Sequence, residues 1–168
     1  LPKIGPLRRI EGRGGNKGPI RDYMTPLWDY GPHDLAFAFD LLGSNPDDLA
    51  ARLLCGGRRE YVLEVSLTYQ NAMAKLKFGN LMHARKRWLT CTGSRGELRL
   101  NDKTIPELIY GEQFIRIDGP PPLEAALRAF TSAIENSRDP LETMDLAVRI
   151  NRCLENIENL ILEDNNNV

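Results

Sequence analysis

Cysteine is scarce in this chain. Cys55, Cys91 and Cys153 are odd in number and far apart, a pattern that fits neither a disulfide framework nor a paired-cysteine zinc site. It points to a reducing compartment, and the expectation is a cytoplasmic protein. A surplus of one charge is also lacking: 22 Lys and Arg stand against 23 Asp and Glu, a formal net charge of −1. Whole-molecule electrostatics therefore gives no reason to expect nucleic acid. No apolar run approaches the ~20 residues of a membrane span. Leu1-Pro2-Lys3-Ile4-Gly5-Pro6 has no apolar core that could act as a signal peptide. The chain opens on Leu1 instead of methionine and reads as a domain cut from a longer protein. No internal repeat is visible.

What is present is an ordinary globular composition, 42% hydrophobic and 27% charged over 168 residues. A single domain of that length buries about 70% of its unfolded surface. The order of elements reads as strand, helix, a run of strands and two closing helices, which predicts an α+β fold with an open, mainly antiparallel sheet and helices packed on one face. The domain is expected over residues 1–162, with 163–168 as a polar tail.

Leu7 to Glu11 reads as a first strand, and the glycine-rich Gly12-Arg13-Gly14-Gly15-Asn16-Lys17-Gly18-Pro19 as a loop. It is not a nucleotide loop: no Lys-Ser or Lys-Thr pair follows, and the Gly-x-Gly-x-x-Gly spacing fails at Lys17. Thr25 is an N-cap candidate with Pro26 at the first helical position, and Gly43 a natural C-cap. Leu35, Phe39 and Leu42 supply the buried stripe of this helix, while Gly31-Pro32 predicts a kink or restart within it. Tyr61, Leu63, Val65, Leu67 and Tyr69 alternate with polar residues, and Ala72, Ala74, Leu76 and Phe78 continue the pattern as a paired strand. Arg87 to Thr92 and Glu97 to Asn101 form a hairpin around Gly93-Ser94-Arg95-Gly96. Ile105 to Asp118 predicts a short strand and a surface crossing. Leu123, Leu127, Phe130 and Ile134 make one helical stripe; Leu146, Ile150, Leu154, Ile157 and Ile161 make the next, opened by Asp139-Pro140.

Thr25-Pro26-Leu27-Trp28-Asp29-Tyr30-Gly31-Pro32-His33-Asp34-Leu35 carries the chemistry. It places Asp29 four residues ahead of His33, one of only two histidines. On a helix these positions share a face. Neutral imidazole exchanges protons near pH 7, and a carboxylate on its far nitrogen fixes the tautomer and supports the imidazolium. The bland alternative is a surface pair or a cap. A metal site built on Asp29, His33 and His83 would need three converging ligands, and no cysteine spacing helps it.

The Asp29 to His33 run resembles the Asp-x-x-x-His signature of the C-terminal domain of the Gfo/Idh/MocA family, NAD(P)-dependent sugar and cyclitol oxidoreductases. The resemblance extends along the chain. Ile4 to Ile10 is similar to the strand that opens that domain, and Leu41-Leu42-Gly43-Ser44-Asn45-Pro46 to the end of its first helix. Arg87 to Leu98 resembles its hairpin, and Pro122 to Asn136 with Asp139 to Leu160 its closing helices. The family's dinucleotide fold and its Lys-Pro dipeptide have no counterpart here, so the chain resembles half an enzyme.

That resemblance implies that His33 is the acid/base acting on a substrate hydroxyl, with Asp29 nearby, while hydride leaves the same carbon for a nicotinamide. The cofactor, NAD or NADP, would be bound mainly by an N-terminal Rossmann domain absent from this chain. The implied substrate is a carbohydrate-like small molecule: a sugar, cyclitol or nucleotide sugar. The isolated chain is expected to be inactive, and homo-oligomers are expected through the open face of the sheet, around Val62, Met73 and Trp88. Two alternatives stay open: an NAD-dependent glycosidase domain, and a noncatalytic ligand-binding or regulatory module. Lys75, Lys77, Arg85, Lys86, Arg87, Arg95 and Arg99 make the central strands locally basic. That is usually a solvated edge, and in a functional version it would hold an anionic group such as a diphosphate. Aromatic side chains able to stack bases are not interleaved with these charges, which argues against nucleic acid.

Overall fold

The computed structural model describes residues 3–101, 106–136 and 141–166. The element order is β1 (Leu7–Lys17), α1 (Pro26–Leu42), β2 (Asp48–Gly56), β3 (Tyr61–Tyr69), β4 (Ala72–Gly79), β5 (Leu81–Gly93), β6 (Glu97–Asn101), β7 (Glu107–Tyr110), β8 (Gln113–Ile115), α2 (Pro122–Glu135) and α3 (Leu141–Asn166). The eight strands form one sheet in the order β2-β3-β4-β1-β5-β6-β7-β8. β1 runs parallel to β4, and the other neighbouring pairs are antiparallel. The α+β class and the open, mainly antiparallel sheet are as the alternation pattern predicts.

α1 and α3 pack on one face of the sheet. Leu27, Leu35, Ala38 and Phe39 of α1 and Cys153, Leu154 and Ile157 of α3 meet Ile10, Leu63, Val65, Leu67, Ala74, Leu76 and Phe78 in one core. The buried residues of β3 and β4 include each large apolar side chain of the predicted inward register. Helix α1 runs through Pro32 from Pro26 to Leu42, and Gly43 closes it in the left-handed conformation at φ 73°. That backbone geometry favours glycine because it has no Cβ to clash. Thr25 occupies the cap position without a side-chain capping bond. Instead the Leu27 amide donates to the hydroxyl of Tyr61, 2.9 Å away on β3, so the sheet satisfies an amide that the helix leaves open.

The glycine-rich segment corrects the loop reading. β1 continues through Gly12, Gly14 and Gly15 to Lys17 and lies in the middle of the sheet. Glycine normally weakens a strand, but it also permits a close approach. A Cβ on Gly12 would sit 2.8 Å from Leu76 Cδ2, and one on Gly14 would sit 2.8 Å from Asp34 Oδ2 of α1. These glycines let the helix and the neighbouring side chains settle onto the strand. Three further elements exceed the sequence reading: β2 forms an edge strand beside β3, β5 begins at Leu81, well before Arg87, and the stretch expected to hold one short strand and a surface crossing forms two paired strands, β7 and β8. The Asp139-Pro140 helix start lies outside the described residues, and α3 is helical through Asn166, past the point where the polar tail was expected to begin.

The sheet's other face is a lattice of charges. Paired positions put side chains of neighbouring strands on the same face. One row holds Thr68, Met73, Arg9 and Thr92; the next holds Ser66, Lys75, Glu11, Thr90 and Arg99; a third holds Arg52, Glu64, Lys77, Arg13 and Trp88. Glu64 pairs with Arg52 at 3.1 Å and with Lys75 at 3.2 Å, and Arg9 with Glu11 at 2.6 Å. Val62 is buried. Met73 and Trp88 fall in rows two apart, about 13 Å along the strands, with the Glu11 row between them. The apolar patch expected around Val62, Met73 and Trp88 is therefore divided.

Candidate functional site at the first helix

α1 presents two chemically different sides. Its sheet-facing side carries Leu27, Gly31, Asp34, Leu35 and Ala38, all buried, while Asp29 and Tyr30 are half-buried, His33 is exposed, and Phe37 is exposed one turn further on. The i, i+4 spacing places Asp29, His33 and Phe37 along one flank. His33 is exposed. Asp29 turns elsewhere: its Oδ2 accepts from Arg21 Nε at 3.3 Å, and no hydrogen bond joins Asp29 to His33 among the described residues. Burial, and then the Asp29 charge, hold the Tyr30 phenol above its ordinary value. The helix thus brings the two predicted site residues to one flank without coupling them directly.

The approach to this flank is held at several points. Arg21 Nη1 also donates to the Tyr23 hydroxyl at 3.1 Å, and Arg59 pairs with Asp22. Buried Asn80 accepts from the Tyr61 amide at 3.0 Å and donates to the Arg59 carbonyl at 3.1 Å, while its own carbonyl accepts from the Gly18 amide at 2.7 Å. Trp28 Nε1 donates to Glu158 of α3 at 3.1 Å. Trp28 is therefore a packing and anchoring residue of the first helical turn.

The residue that sequence reasoning passed over is Asp34. It follows His33 directly but points into the core, 3% exposed. Its Oδ1 accepts from Arg87 Nη2 of β5 at 3.0 Å. Burial pushes the Asp34 carboxyl up, opposed by the charge and hydrogen bond of Arg87 and by the field of His33, and the net shift is upward. The signal was available: an acidic residue among Leu27, Gly31, Leu35 and Ala38 on the buried stripe requires a cation beneath it. That cation, Arg87, belongs to the basic run of the central strands. The side chains of Arg85 and Lys86 lie outside the described residues; of Arg85, Lys86 and Arg87, it is Arg87 that reaches α1.

His83 is exposed on β5. Among the described residues no group of three or more His, Cys, Asp or Glu could hold a metal ion. Burial pushes the Cys91 and Cys153 thiols up to about 11, which makes them poor nucleophiles at neutral pH. A cavity of about 310 Å3 lined by Gly96, Glu97, Arg99, Ile109, Tyr110 and Gly111 belongs to β6, β7 and their turns, with no residue of α1. No described helix is long and apolar enough to cross a membrane.

α2 differs from the other helices. None of its residues is buried, and Leu123, Leu127, Phe130 and Ile134 are 57–73% exposed. The amphipathic pattern formed the helix, but its apolar side has no cover within the described chain.

No protein-family model matches this sequence. No curated protein matches it either. Solved structures do. A candidate oxidoreductase from Magnetospirillum magnetotacticum MS-1 shares 27% identity at a TM-score of 0.79, over 92% of this chain and 55% of its own. The aldose-aldose oxidoreductase of Caulobacter crescentus, solved with glycerol, shares 19% identity at a TM-score of 0.79, over 96% of this chain and 55% of its own. A 3-ketoreductase from Actinomadura kijaniata, solved with NADP, shares 22% identity at a TM-score of 0.68, over 93% of this chain and 52% of its own. This chain spans little more than half the length of the proteins it matches.

Proposed function

We propose, from a fold shared with Gfo/Idh/MocA-type oxidoreductases, that this chain is the C-terminal, substrate-side half of an NAD(P)-dependent oxidoreductase acting on a hydroxyl of a sugar, cyclitol or nucleotide sugar. The observation that carries the reading is the exposed His33 on the flank of α1, four residues after Asp29, in a chain that spans about half of its structural neighbours. An exposed imidazole can reach a substrate from outside the domain. A histidine on the core side of the helix could not.

The glycine-rich segment does not fit a dinucleotide. The glycines that would have to form a phosphate-binding turn are extended in the central strand β1, so their amides serve the sheet instead of a helix-capped loop. In this reading NAD or NADP is held by a Rossmann domain outside this chain, and the redox chemistry belongs there. This chain supplies the proton: His33 takes the hydroxyl proton at an imidazole nitrogen in one direction and returns it in the other. Phe37 and Tyr30 border the same flank and offer apolar contact to a sugar ring. Asp29 tunes this surface through its charge, held in place by Arg21.

The bare stripe on α2 supports the same reading. Covering a large apolar side chain contributes about 1.5–3 kcal/mol, so four exposed ones suit a surface that a further domain covers. Through the open face of the sheet the chain forms homo-oligomers in this account, held by complementary charge around Arg9, Glu11, Arg13, Glu64 and Lys77 more than by a continuous apolar core. A noncatalytic ligand-binding module is the second reading, and the turn of Asp29 toward Arg21 instead of His33 favours it.

Fluorescence titration and turnover assays on these 168 residues test the division of labour. The chain alone is expected neither to hold NAD(P)H at micromolar concentration nor to oxidise sugars, because both reactants must be oriented together. Micromolar cofactor affinity or turnover by the isolated chain would contradict it. In the complete protein, oxidised product released from a panel of sugars with NAD or NADP supports the dehydrogenase. Hydrolysed glycoside would point to the glycosidase, and binding without any product to the module.

A further inference from the structure

We propose that the buried Asp34–Arg87 pair is a positioning device for His33, an inference that rests on the acid/base reading of that histidine. Asp34 is the residue after His33 and is 3% exposed; Arg87 Nη2 meets its Oδ1 at 3.0 Å from the central strand β5. The pair is poorly made as a stabilising contact. Asp34 Oδ2 and Arg87 Nε are both buried without a hydrogen-bond partner. A buried ion pair of this kind contributes little or nothing to stability compared with apolar packing, and the same helical stripe is otherwise apolar or glycine. An aliphatic residue at position 34 would serve the core better.

What the pair does supply is direction. The hydrogen bond between Arg87 and Asp34 fixes the rotation of α1 about its axis, and Gly14, opposite Arg87 in the β1–β5 register, leaves room for the carboxylate. The first turn is already fixed by the Leu27 amide on the Tyr61 hydroxyl and by Trp28 on Glu158. His33 therefore sits between two anchored points. Its Cα can neither roll toward the core nor lift from the sheet, and the Cα–Cβ bond of His33 leaves the helix in a set direction. A displacement of about 1 Å at a reacting group can cost on the order of 10²-fold in rate.

The test is a double-mutant cycle in the complete protein. Asp34→Asn keeps the shape of the side chain and removes its charge; a thermal melt establishes that it is folded. The expected result is a loss of about tenfold or more in kcat with KM within about twofold, consistent with an interaction needed in the transition state alone. In the His33→Ala background the same substitution is expected to change the residual kcat by less than about twofold, because the group it positions is gone. Arg87→Lys, which keeps the charge but not the fork geometry, carries the same comparison from the other strand and is expected to fall between wild type and Asp34→Asn. Equal fold losses in both backgrounds, or wild-type kcat for Asp34→Asn, would overturn the positioning role. If His33→Ala itself turns over at the wild-type rate, the acid/base reading falls and the positioning role with it. That outcome is read from the single variant.

Discussion

Arg87→Met separates the energetic role of the buried pair from its geometric one. The substitution keeps an unbranched side chain of similar length and deletes the cation, leaving the Asp34 carboxylate, 4% exposed, with no compensating charge. Removing one partner of a buried pair costs about 3–5 kcal/mol. Arg87 is itself 30% exposed, and Asp34 can escape by taking up a proton, so the lower end applies: about 3 kcal/mol at pH 7. For a domain of this size that lowers Tm by about 6–12 °C. The pH dependence follows from the direction of the Asp34 shift. Its folded carboxyl already lies above the ordinary value of 3.8, so its contribution is most favourable below that value and is lost as pH rises through the folded one. Deleting Arg87 removes the charge and the hydrogen bond that pull the carboxyl down, which raises it further. The deficit of Arg87→Met relative to wild type should therefore shrink on acidification from pH 7 to pH 5. Urea unfolding at several pH values measures it. A loss below about 1 kcal/mol at pH 7, or a deficit that grows toward acid, would refute the account of a desolvated carboxylate held by one cation.

Two further outcomes concern surfaces. Phe130→Glu should change the stability of the 168-residue chain by no more than about 0.5 kcal/mol, because the ring is exposed there, but should lower the melting temperature of the complete protein if a second domain covers α2; equal effects in both would leave the stripe without a partner. Sedimentation of Trp88→Glu and Met73→Glu against wild type probes the sheet face. Association that weakens in either variant and in high salt supports contact through the charged lattice, whereas a monomeric wild type, or association unchanged in both variants, contradicts it.

The sequence was most readable where one periodicity met one environment. β3, β4 and α1 followed from alternation, a helical stripe and caps at Thr25 and Gly43. α3 showed itself through Leu154 and Ile157 for the same reason. β1 was cut short because glycine has low strand propensity, and only the packing of Leu76 and Asp34 against it explains why glycine is required. β2 was missed because its Asp48–Gly56 sequence has weak alternation and lies at the sheet edge. The amphipathic pattern of α2 predicted its helix correctly, yet no pattern within one chain tells whether an apolar stripe is covered by that chain or by another. At the site, the i, i+4 spacing brought Asp29 and His33 to one flank of α1 but not into contact with each other. The ion pair of Asp29 with Arg21 and the core position of Asp34 against Arg87 depend on segments distant in sequence, which local spacing does not encode.

Steady-state turnover of the complete protein with His33→Ala tests the central claim most directly. The acid/base role predicts a fall in kcat of roughly 10²–10⁴-fold with an unchanged melting temperature, since His33 is exposed and outside the core. Asp29→Asn should fall less, its carboxylate being bound to Arg21 at 3.3 Å. Wild-type kcat in a folded His33→Ala protein would contradict the claim.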